Sequence, residues 1–303
     1  MINQSVQAIV VTFNRKNDLL ICIDALIKQS KELDQIIIID NASSDGTQEL
    51  LMENDYLNNK KINYIRLERN AGGAGGFYEG ISEALKGDFE YVWLMDDDGI
   101  PATDSLEKLV QVSNEKSLDI AGPVVIDITN NENLSFGLGE KFTNIKELNS
   151  FKDDKIIPNL LNPFNGTLIS KKVIDSIGNI KKEMFIWGDE VEYIERAKYN
   201  GFKVGTVIDA KHFHPKNKGT FKNLFNGLIG KVMVKPEEKE MIFYRNLGYI
   251  NSIYGKRNVH FKTLLKYSVY ILFYRKFNLK LLKEFYSYYN DGYKNLYKLP
   301  SKF

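Results

Sequence analysis

Cysteine and histidine are scarce in this chain of 303 residues, which has one of the first and three of the second. The lone Cys22 excludes an internal disulfide and fits a reducing compartment, so we expect a cytoplasmic location. Its place in a helical pattern predicts a small buried apolar residue. No cluster of cysteines or histidines supports a zinc centre, which takes several thiolate or imidazole ligands.

Long hydrophobic runs are missing too. Residues 6–13 are apolar but form a short run, and no basic segment precedes them, so we expect no signal peptide. The longest apolar run near the C-terminus, residues 267–274, is far below the roughly 20 residues that cross a bilayer. The sequence therefore predicts no transmembrane helix.

A strong overall charge is also absent, because the formal net charge is only +2, which gives no support to nucleic acid as a partner. The charge is unevenly distributed, however. Residues 256–303 hold eleven Lys and Arg against Glu284 and Asp291, a net of +9, which leaves −7 for residues 1–255. Basic residues interleaved with Tyr, Phe and Leu are typical of an interfacial helix on an anionic membrane. A helix that closes a core, or a homo-oligomer interface, is the alternative.

Hydrophobic residues make up 43% of the chain, which is enough for a buried core. The first hundred residues alternate apolar runs with helical patterns, and the predicted strands are residues 7–13, 35–40, 62–67 and 91–95. Strands of continuous apolar character separated by helices predict an α/β fold with a parallel sheet covered on both faces. Ligands of such sheets bind outside the carboxyl ends of the strands.

The pattern of the remaining residues predicts that the chain is divided into two regions. Further short strands are predicted at residues 120–128, 167–170 and 204–208. A helix is expected to end just before Gly201, and from about residue 238 onward the pattern is helical. We therefore expect an α/β domain over residues 1–220 and a helical, basic and aromatic region over residues 221–303.

Three aspartates, Asp96, Asp97 and Asp98, follow the fourth predicted strand directly. Alternate side chains of an extended segment share a side, so we expect Asp96 and Asp98 to project together. Like charges at the end of an apolar strand repel one another and need a counter-ion. Two such carboxylates suit a hard divalent cation with oxygen ligands, and a solvated acidic turn is the alternative.

A glycine-rich loop, NAGGAGG, starts at Asn70 and opens a helical pattern. It does not match G-x-G-x-x-G, because the third glycine would fall at Tyr78, and no Gly-Lys-Ser/Thr of a Walker A loop follows. Glycines that open a helix, here Gly72 and Gly73, let the backbone approach a diphosphate or a sugar. A flexible turn is the alternative.

Two further segments carry side chains suited to catalysis. In WGDEVEY, a carboxylate of Asp189 or Glu190 is a candidate general base and Trp187 a candidate platform for a sugar. The helix dipole favours acidic residues at a helix N-terminus in any case, which is the alternative. His212 and His214 share a face of an extended segment, where a structural role competes with metal binding.

These motifs occur in an order that resembles family 2 glycosyltransferases of the GT-A fold, most of all their bacterial galactofuranosyltransferase and rhamnosyltransferase branch. Between residues 6 and 220 they read VVTFNR, IIIIDNASSDGT, NAGGAGGF, WLMDDD, FNGTLIS, WGDEVEY and HFH. The resemblance implies an enzyme, a glycosyltransferase. It implies a Rossmann-like, mostly parallel sheet flanked by helices, followed here by a helical C-terminal extension.

The resemblance implies roles for the loops after the first strands. Thr12 and Arg15 would lie beside the nucleotide base, and Asp40 would hold a uracil or thymine ring. Asn70 and the glycines after it would approach the diphosphate and the donor sugar. The expected donor is therefore a UDP- or dTDP-linked sugar.

A metal site is implied as well. Asp96 and Asp98 would bind the ion, with Asp97 beside the donor sugar. In galactofuranosyltransferases a histidine twenty-four residues after the catalytic carboxylate completes this site. The same spacing separates Glu190 from His214. An imidazole ligand favours Mn²⁺ over Mg²⁺.

That spacing selects His214 rather than His212 as the ligand and Glu190 rather than Asp189 as the base. The sequence departs from the family pattern here, because the base of the family is commonly an aspartate. The longer side chain of Glu190 keeps Asp189 as the alternative base, with Trp187 as the sugar platform.

The expected activity is inverting, metal-dependent transfer of a sugar to a lipid-linked glycan in bacterial surface polysaccharide synthesis, at the inner face of the cell membrane. Galactofuranose from UDP is the first choice, because the glycine motif, the aspartate triplet and the histidine spacing occur together, and rhamnose from dTDP is the alternative. A non-catalytic sugar-nucleotide or glycan-binding module is the rival of another class. A nucleotidyltransferase would show a glycine-rich loop where this chain reads TFNRKND.

Overall fold

The computed structural model describes residues 4–139, 142–216, 219–255 and 257–299. Two units divide the chain: the first comprises Met1–Lys182 and Tyr193–Asn217, and the second Glu183–Glu192 and Lys218–Phe303. Lys256 and Lys302, two of the basic residues counted in the C-terminal region, lie outside the described residues.

The first unit is built on a sheet. Its described strands are β1 (Val6–Thr12), β2 (Gln35–Asp40), β3 (Ile62–Arg66), β4 (Tyr91–Asp96), β5 (Ile100–Pro101), β6 (Ile120–Asp127), β7 (Asn133–Leu138), β8 (Phe142–Asn144), β9 (Ile156–Pro158), β10 (Asn165–Ser170) and β11 (Val204–His214). They follow the order β3-β2-β1-β4-β10-β6-β11-β5, with β7 beside β6, β8 beside β7 and β9 beside β11. The four strands β1 to β4 are parallel, as are β6 and β11, whereas β10 runs antiparallel between β4 and β6. The predicted, mostly parallel α/β sheet is confirmed.

Helices cover both faces of this sheet. They are α1 (Lys16–Ile27), α2 (Thr47–Glu53), α3 (Gly72–Ala84), α4 (Ser105–Lys116), α5 (Lys171–Ile177) and α6 (Asp189–Tyr199), whose first turn is counted with the second unit. Single 3₁₀ segments lie at Tyr56–Asn58, Ile145–Phe151 and Lys182–Met184.

Strand β1 shows why both faces need cover, because all seven of its residues are buried. Ala8 and Val10 belong to the core that holds the apolar residues of α1 and α4. The side chains of Ile9 and Val11 meet the glycines of α3 instead. Cys22, predicted as a buried apolar residue, lies in the α1 core and is fully buried.

Two features of the first unit differ from the sequence pattern. Strand β11 continues to His214 instead of ending at residue 208, across an irregular register between Val207 and Lys211. The short strands β5 and β9 carry no clear periodic signal, because each is stabilised by pairing with the distant strand β11. Strands β7 and β8 pair with segments close in sequence, but their register is irregular between Asn133 and Leu138.

The second unit combines a hairpin with helices. The hairpin strands are β12 (Thr220–Leu224) and β13 (Gly230–Val234), joined through a 3₁₀ turn at Phe225–Gly227, and the helices are α7 (Glu240–Ile253), α8 (Arg257–Tyr274) and α9 (Leu279–Tyr293). The predicted helical region is confirmed, and the hairpin was not predicted. Among the residues described, no helix is long and apolar enough to cross a membrane.

Aromatic side chains form the core of this unit. Tyr244, Tyr267, Phe285 and Tyr289 are buried together, and the rings of Tyr244 and Phe285 are 4.9 Å apart. Helices α7 and α9 pack closely, because a Cβ at Gly248 would lie 2.0 Å from the carbonyl oxygen of Tyr289. These aromatic residues therefore close a core, as one of the two interpretations of the C-terminal region expected.

Candidate active site

Strand register brings the predicted loops to one edge of the sheet. Thr12 pairs with Asp40 across β1 and β2, and Val11 pairs with Asp96 across β1 and β4. Because these strands are parallel, the loops that follow them leave the sheet on the same side. The glycine loop starting at Asn70 joins this edge after β3. The first unit thus collects the segments predicted to bind the nucleotide sugar.

Asp97 is held inside the protein. It is 3% exposed, its Oδ2 accepts a hydrogen bond of 2.7 Å from the hydroxyl of Thr12, and its Oδ1 lies 3.2 Å from Nη1 of Arg15. Burial raises the pKa of Asp97 to about 6, against the hydrogen bond from Thr12 and the charge of Arg15, which lower it. Thr12 and Arg15, expected beside a nucleotide base, therefore position an aspartate here.

The aspartate triplet does not continue the strand as expected. Strand β4 ends at Asp96, and Asp97 and Asp98 form a turn that leads into β5. Alternation of side chains therefore stops at Asp96. Arg15 contacts both Asp97 and Asp98, so these two share a partner although they were expected on opposite sides.

Asp98 pairs with His214. Its Oδ1 lies 3.0 Å from Nε2 of the imidazole, whose Nδ1 is 2.6 Å from the carbonyl oxygen of Pro215. When Nδ1 donates its proton to this carbonyl, Nε2 faces the carboxylate, where it can carry a second proton or bind a cation. Burial lowers the pKa of His214, but the hydrogen bond and charge of Asp98 outweigh it, so the net shift is upward.

The two donors fit a divalent cation. Neighbouring ligands of an octahedral ion bound at about 2.1 Å lie about 3 Å apart, which is the separation of Asp98 Oδ1 and His214 Nε2. The carbonyl behind Nδ1 is the kind of partner that fixes a metal-binding imidazole. Burial and the charges of Asp98 and Asp97 raise the pKa of Asp96 to about 7, and the charges of His214 and Arg15 only partly oppose this shift.

A complete ligand set is not preformed. Within the described ranges, no group of three or more His, Cys, Asp or Glu side chains is placed to hold a metal ion. The structure brings Asp98 and His214 together, and the charges of both act on Asp96. The remaining coordination positions of a bound ion would be filled by Asp96, by water or by oxygen atoms of the nucleotide-sugar donor.

His212 occupies a different environment. It is fully buried, and a Cβ at Gly99 would lie 2.1 Å from its Nε2 and one at Gly166 2.9 Å from its Nδ1. Burial lowers its pKa to about 3, helped by the charge of His214, and within the described part of the chain neither ring nitrogen has a hydrogen-bond partner. These facts favour His214 over His212 as the ligand.

Both carboxylate oxygens of Asp40 also accept hydrogen bonds from within the protein. Asp40 is 1% exposed, with Oδ1 accepting a hydrogen bond of 2.8 Å from the backbone N–H of Ser43 and Oδ2 one of 2.6 Å from the hydroxyl of Tyr64. These bonds shape the loop after β2. A nucleotide base would share Asp40 with these donors.

The glycine loop is fixed by a residue that sequence reasoning did not single out. Asn41 is 2% exposed; its Nδ2 donates to the carbonyl oxygen of Gly72 at 3.0 Å, and its Oδ1 accepts from the N–H of Ala71 at 3.2 Å. Asn70 accepts a further bond of 2.8 Å from the N–H of Gly72. The asparagine that follows the aspartate in IIIIDNASS is the signal that points to Asn41.

The glycines of α3 divide into two groups. A Cβ at Gly76 would lie 2.5 Å from Val11, and one at Gly80 2.3 Å from Ile9, so these two let the helix pack on the sheet. Gly72 has a φ of +72°, and a Cβ at Gly73 would meet no described atom within 4 Å. A Cβ at Gly75 would lie 2.4 Å from that of Ala71 and Gly72 is buried, so Gly73 is the one of these helix glycines that faces open space.

In the second unit, helix α7 anchors the segment that carries Trp187. The buried side-chain amide of Asn246 donates to the carbonyl oxygens of Met184, Ile186 and Trp187, at 2.9 to 3.0 Å. The buried guanidinium of Arg245 donates hydrogen bonds of 3.0 Å to the backbone carbonyl oxygens of Glu183 and Met184. Each satisfies backbone that would otherwise be buried without partners.

Trp187, Asp189 and Glu190 share this anchored segment. The carboxylate of Glu190 accepts a hydrogen bond of 2.8 Å from the N–H of Gly188, and Nζ of Lys235 lies 4.4 Å from the ring centroid of Trp187. Burial lowers the pKa of Lys235, and the charge of Glu190 opposes this shift. Asp189 is buried at 4% exposure, whereas Glu190 is half-buried, so Glu190 is the more accessible carboxylate.

A parallel sheet with a clustered acidic turn and a pinned glycine loop at its carboxyl edge defines the GT-A class of sugar-transferring enzymes. Residues 7–177 match the family model described as Glycosyl transferase family 2. The chain belongs to this family and is a glycosyltransferase.

Its similarity to known proteins extends over most of its length. It is 30% identical over 276 residues to galactofuranosyltransferase GlfT1 of Mycolicibacterium smegmatis, covering 89% of this chain and 90% of the relative. It is 27% identical over 219 residues to dTDP-rhamnosyl transferase RfbF of Shigella flexneri, covering 70% and 69%. The solved structure of GalNAc-T7 with UDP, GalNAc and Mn²⁺ shares the fold with a TM-score of 0.60 at 16% identity, covering 95% of this chain and 55% of that one.

Proposed function

We propose that this enzyme transfers galactofuranose from UDP-galactofuranose to a glycan acceptor with inversion at the anomeric carbon. The observation that carries the proposal is the pair formed by Asp98 and His214, with 3.0 Å between Oδ1 and Nε2. The similarity to GlfT1 along nearly the whole chain supports the choice of sugar.

The metal would be held by Asp96, Asp98 and His214, and the imidazole favours Mn²⁺ over Mg²⁺. When bound, the ion would neutralise charge on the departing diphosphate. Arg15, which contacts Asp97 and Asp98, would hold this acidic turn in place.

The donor would lie along the carboxyl edge of the sheet. We assign the nucleotide base to the loops that carry Thr12, Arg15 and Asp40, and the diphosphate and sugar to the backbone near Asn70. Gly72 and Gly73 allow close approach there, and Asp97 is placed beside the sugar.

Glu190 is proposed as the general base, with Asp189 as the alternative. It takes the proton of an acceptor hydroxyl, whose oxygen forms a bond to C1 of the donor sugar. The bond from C1 to the diphosphate oxygen breaks, and the nucleoside diphosphate leaves with the electron pair. One displacement of this kind inverts the anomeric centre. Nζ of Lys235 lies over one face of the Trp187 ring, and we assign the opposite face to a sugar ring.

The proposed acceptor is a lipid-linked glycan, met at the inner face of the cell membrane by a cytoplasmic enzyme. The second candidate is rhamnosyl transfer from dTDP-rhamnose, which the similarity to RfbF supports. Membership of a glycosyltransferase family argues against a non-catalytic binding module and against a nucleotidyltransferase.

A donor panel tests the proposal. UDP-galactofuranose, dTDP-rhamnose, UDP-galactopyranose and UDP-glucose are incubated with the full chain and Mn²⁺, and release of the nucleoside diphosphate is measured. We expect turnover and thermal stabilisation to be greatest with UDP-galactofuranose. Preference for dTDP-rhamnose would favour rhamnosyl transfer over galactofuranosyl transfer. Turnover that is unaffected by EDTA would contradict the proposed metal dependence.

A further inference from the structure

Large apolar side chains are exposed on the second unit. They come from the hairpin turn, the last turn of α8, the connection to α9 and the first residue of α9. The exposed fractions are 88% for Leu228, 67% for Leu279, 61% for Phe277, 56% for Phe273 and 44% for Phe225. We call these five residues the hairpin patch. Single exposed apolar residues need no explanation, but a cluster of this kind marks an interaction surface.

The three phenylalanines of the patch form a continuous row although their two segments are far apart in sequence. The rings of Phe225 and Phe273 are 5.4 Å apart, and those of Phe273 and Phe277 are 5.6 Å apart. The hydroxyl of Tyr274 accepts a hydrogen bond of 2.6 Å from the N–H of Phe225, which ties the hairpin turn to α8. The turn is therefore held in place before any partner arrives.

Both segments are basic. Residues 219–234 and 270–283 contain no Asp or Glu, but they hold Lys222, Lys231, Arg275, Lys276, Lys280 and Lys283. Arg275 is neutralised by Glu237 and Glu240, whereas Lys222, Lys276 and Lys280 have exposed side chains. Nζ of Lys222 lies 5.2 Å from the ring centroid of Tyr274, so this charge borders the patch directly.

We infer that the hairpin patch docks the enzyme on an anionic lipid bilayer. Phenylalanine and leucine side chains on a turn enter the boundary between headgroups and acyl chains, and lysines at the rim contact anionic headgroups. The long lysine side chains reach the headgroup level while their apolar stems cover the rim. The residues that supply the apolar and the electrostatic attraction are not part of the aromatic core of the unit.

A second copy of this chain is the less suitable occupant. A twofold interface places the same patch on both partners, so lysines would face lysines across it. No acidic residue of the two segments would compensate this repulsion. A bilayer surface that carries negative headgroups meets the same lysines with opposite charge.

The inference extends the proposed function, because a lipid-linked acceptor is found at such a surface. Its test does not depend on the donor sugar, since binding to vesicles is measured without donor or acceptor. Donor turnover is measured in parallel on the same proteins. Failure of membrane binding and failure of the proposed transfer are then distinguishable.

The test is flotation of the full chain with vesicles of phosphatidylcholine alone or mixed with phosphatidylglycerol. The wild type should float with the anionic vesicles and much less with the neutral ones. Leu228→Ser/Phe277→Ser and Lys276→Glu/Lys280→Glu should each lower the partition coefficient at least about tenfold. The matched controls are Ile21→Ser/Met52→Ser and Lys60→Glu/Lys116→Glu, which change exposed residues of the first unit.

Retained donor turnover shows that each variant is folded. Equal flotation of the patch variants and their controls would overturn the inference. So would equal binding to neutral and anionic vesicles, or a patch variant that changes the oligomeric state in solution but not the flotation.

Discussion

Asp98 and His214 face each other at 3.0 Å because β11 lies beside the short strand that follows the aspartate turn. Strand β5 pairs antiparallel with β11, with Phe213 opposite Ile100. This pairing carries the end of β11 to the end of β4, which the sequence separates widely. The relationship brings one carboxylate of the acidic triplet against an imidazole.

The first prediction concerns that pair. His214→Ala should raise the Mn²⁺ concentration for half-maximal donor turnover by about 10–100-fold or more, because an inner ligand is lost. Turnover is titrated against Mn²⁺ for wild type and variant, after treatment with EDTA. An unchanged titration would remove His214 from the metal site.

The second prediction separates the two candidate bases. Glu190→Gln should lower kcat by roughly 10²–10⁴-fold, because the amide cannot take a proton. UDP binding, measured by calorimetry, should be nearly unchanged. Asp189→Asn is the comparison: if it loses kcat while Glu190→Gln keeps full activity, the base is Asp189.

The third prediction concerns the two groups of glycines in α3. Gly80→Ala should destabilise the fold by about 1–3 kcal/mol, because its Cβ would lie 2.3 Å from Ile9. Gly73→Ala should stabilise it slightly, by up to about 1 kcal/mol, and should raise KM for the donor because a methyl group then stands where the diphosphate approaches. Urea unfolding and donor kinetics check both variants. A KM unaffected by Gly73→Ala would contradict the role given to that backbone.

The fourth prediction concerns Asn246. Asn246→Ala leaves carbonyl groups of the Trp187 segment without their donor, which should cost about 1–3 kcal/mol of unfolding free energy. It should also lower kcat at least about tenfold, because Glu190 is less well placed.

Asn251→Ala is the matched control on the same helix, since Asn251 bonds to Thr263 and Tyr289 and not to that segment. Chemical unfolding and kcat are measured for both variants. Equal effects on kcat would mean that Asn246 acts through stability alone.

Much of the fold was predictable because its signals are local. Continuous apolar runs such as Gln35–Asp40 predict buried parallel strands, and they are found within one residue of their predicted ends. The strands β5 and β9 were missed, since their short lengths are stabilised by pairing with the distant strand β11. The hairpin of the second unit pairs neighbouring segments, and it was missed because residues 220–224 show no alternation of apolar and polar side chains.

The site was predictable in its members more than in its contacts. Asp96, Asp98 and His214 were selected by resemblance, and the structure adds that His214, unlike the fully buried His212, faces a carboxylate. Asn41 was not selected, because its hydrogen bonds to the glycine loop join segments that only folding brings together.

By itself, the sequence determined the alternation of strands and helices, the strand ends that carry aspartates and the family to which the chain belongs. These follow from periodicity and motif, which need no knowledge of distant contacts. Only the tertiary structure decided that Asp97 turns inward to Thr12, that Asp98 meets His214 and that Asn246 holds the Trp187 segment. Such pairings depend on register and helix packing, because side chains far apart in sequence meet only after the sheet and helices have assembled.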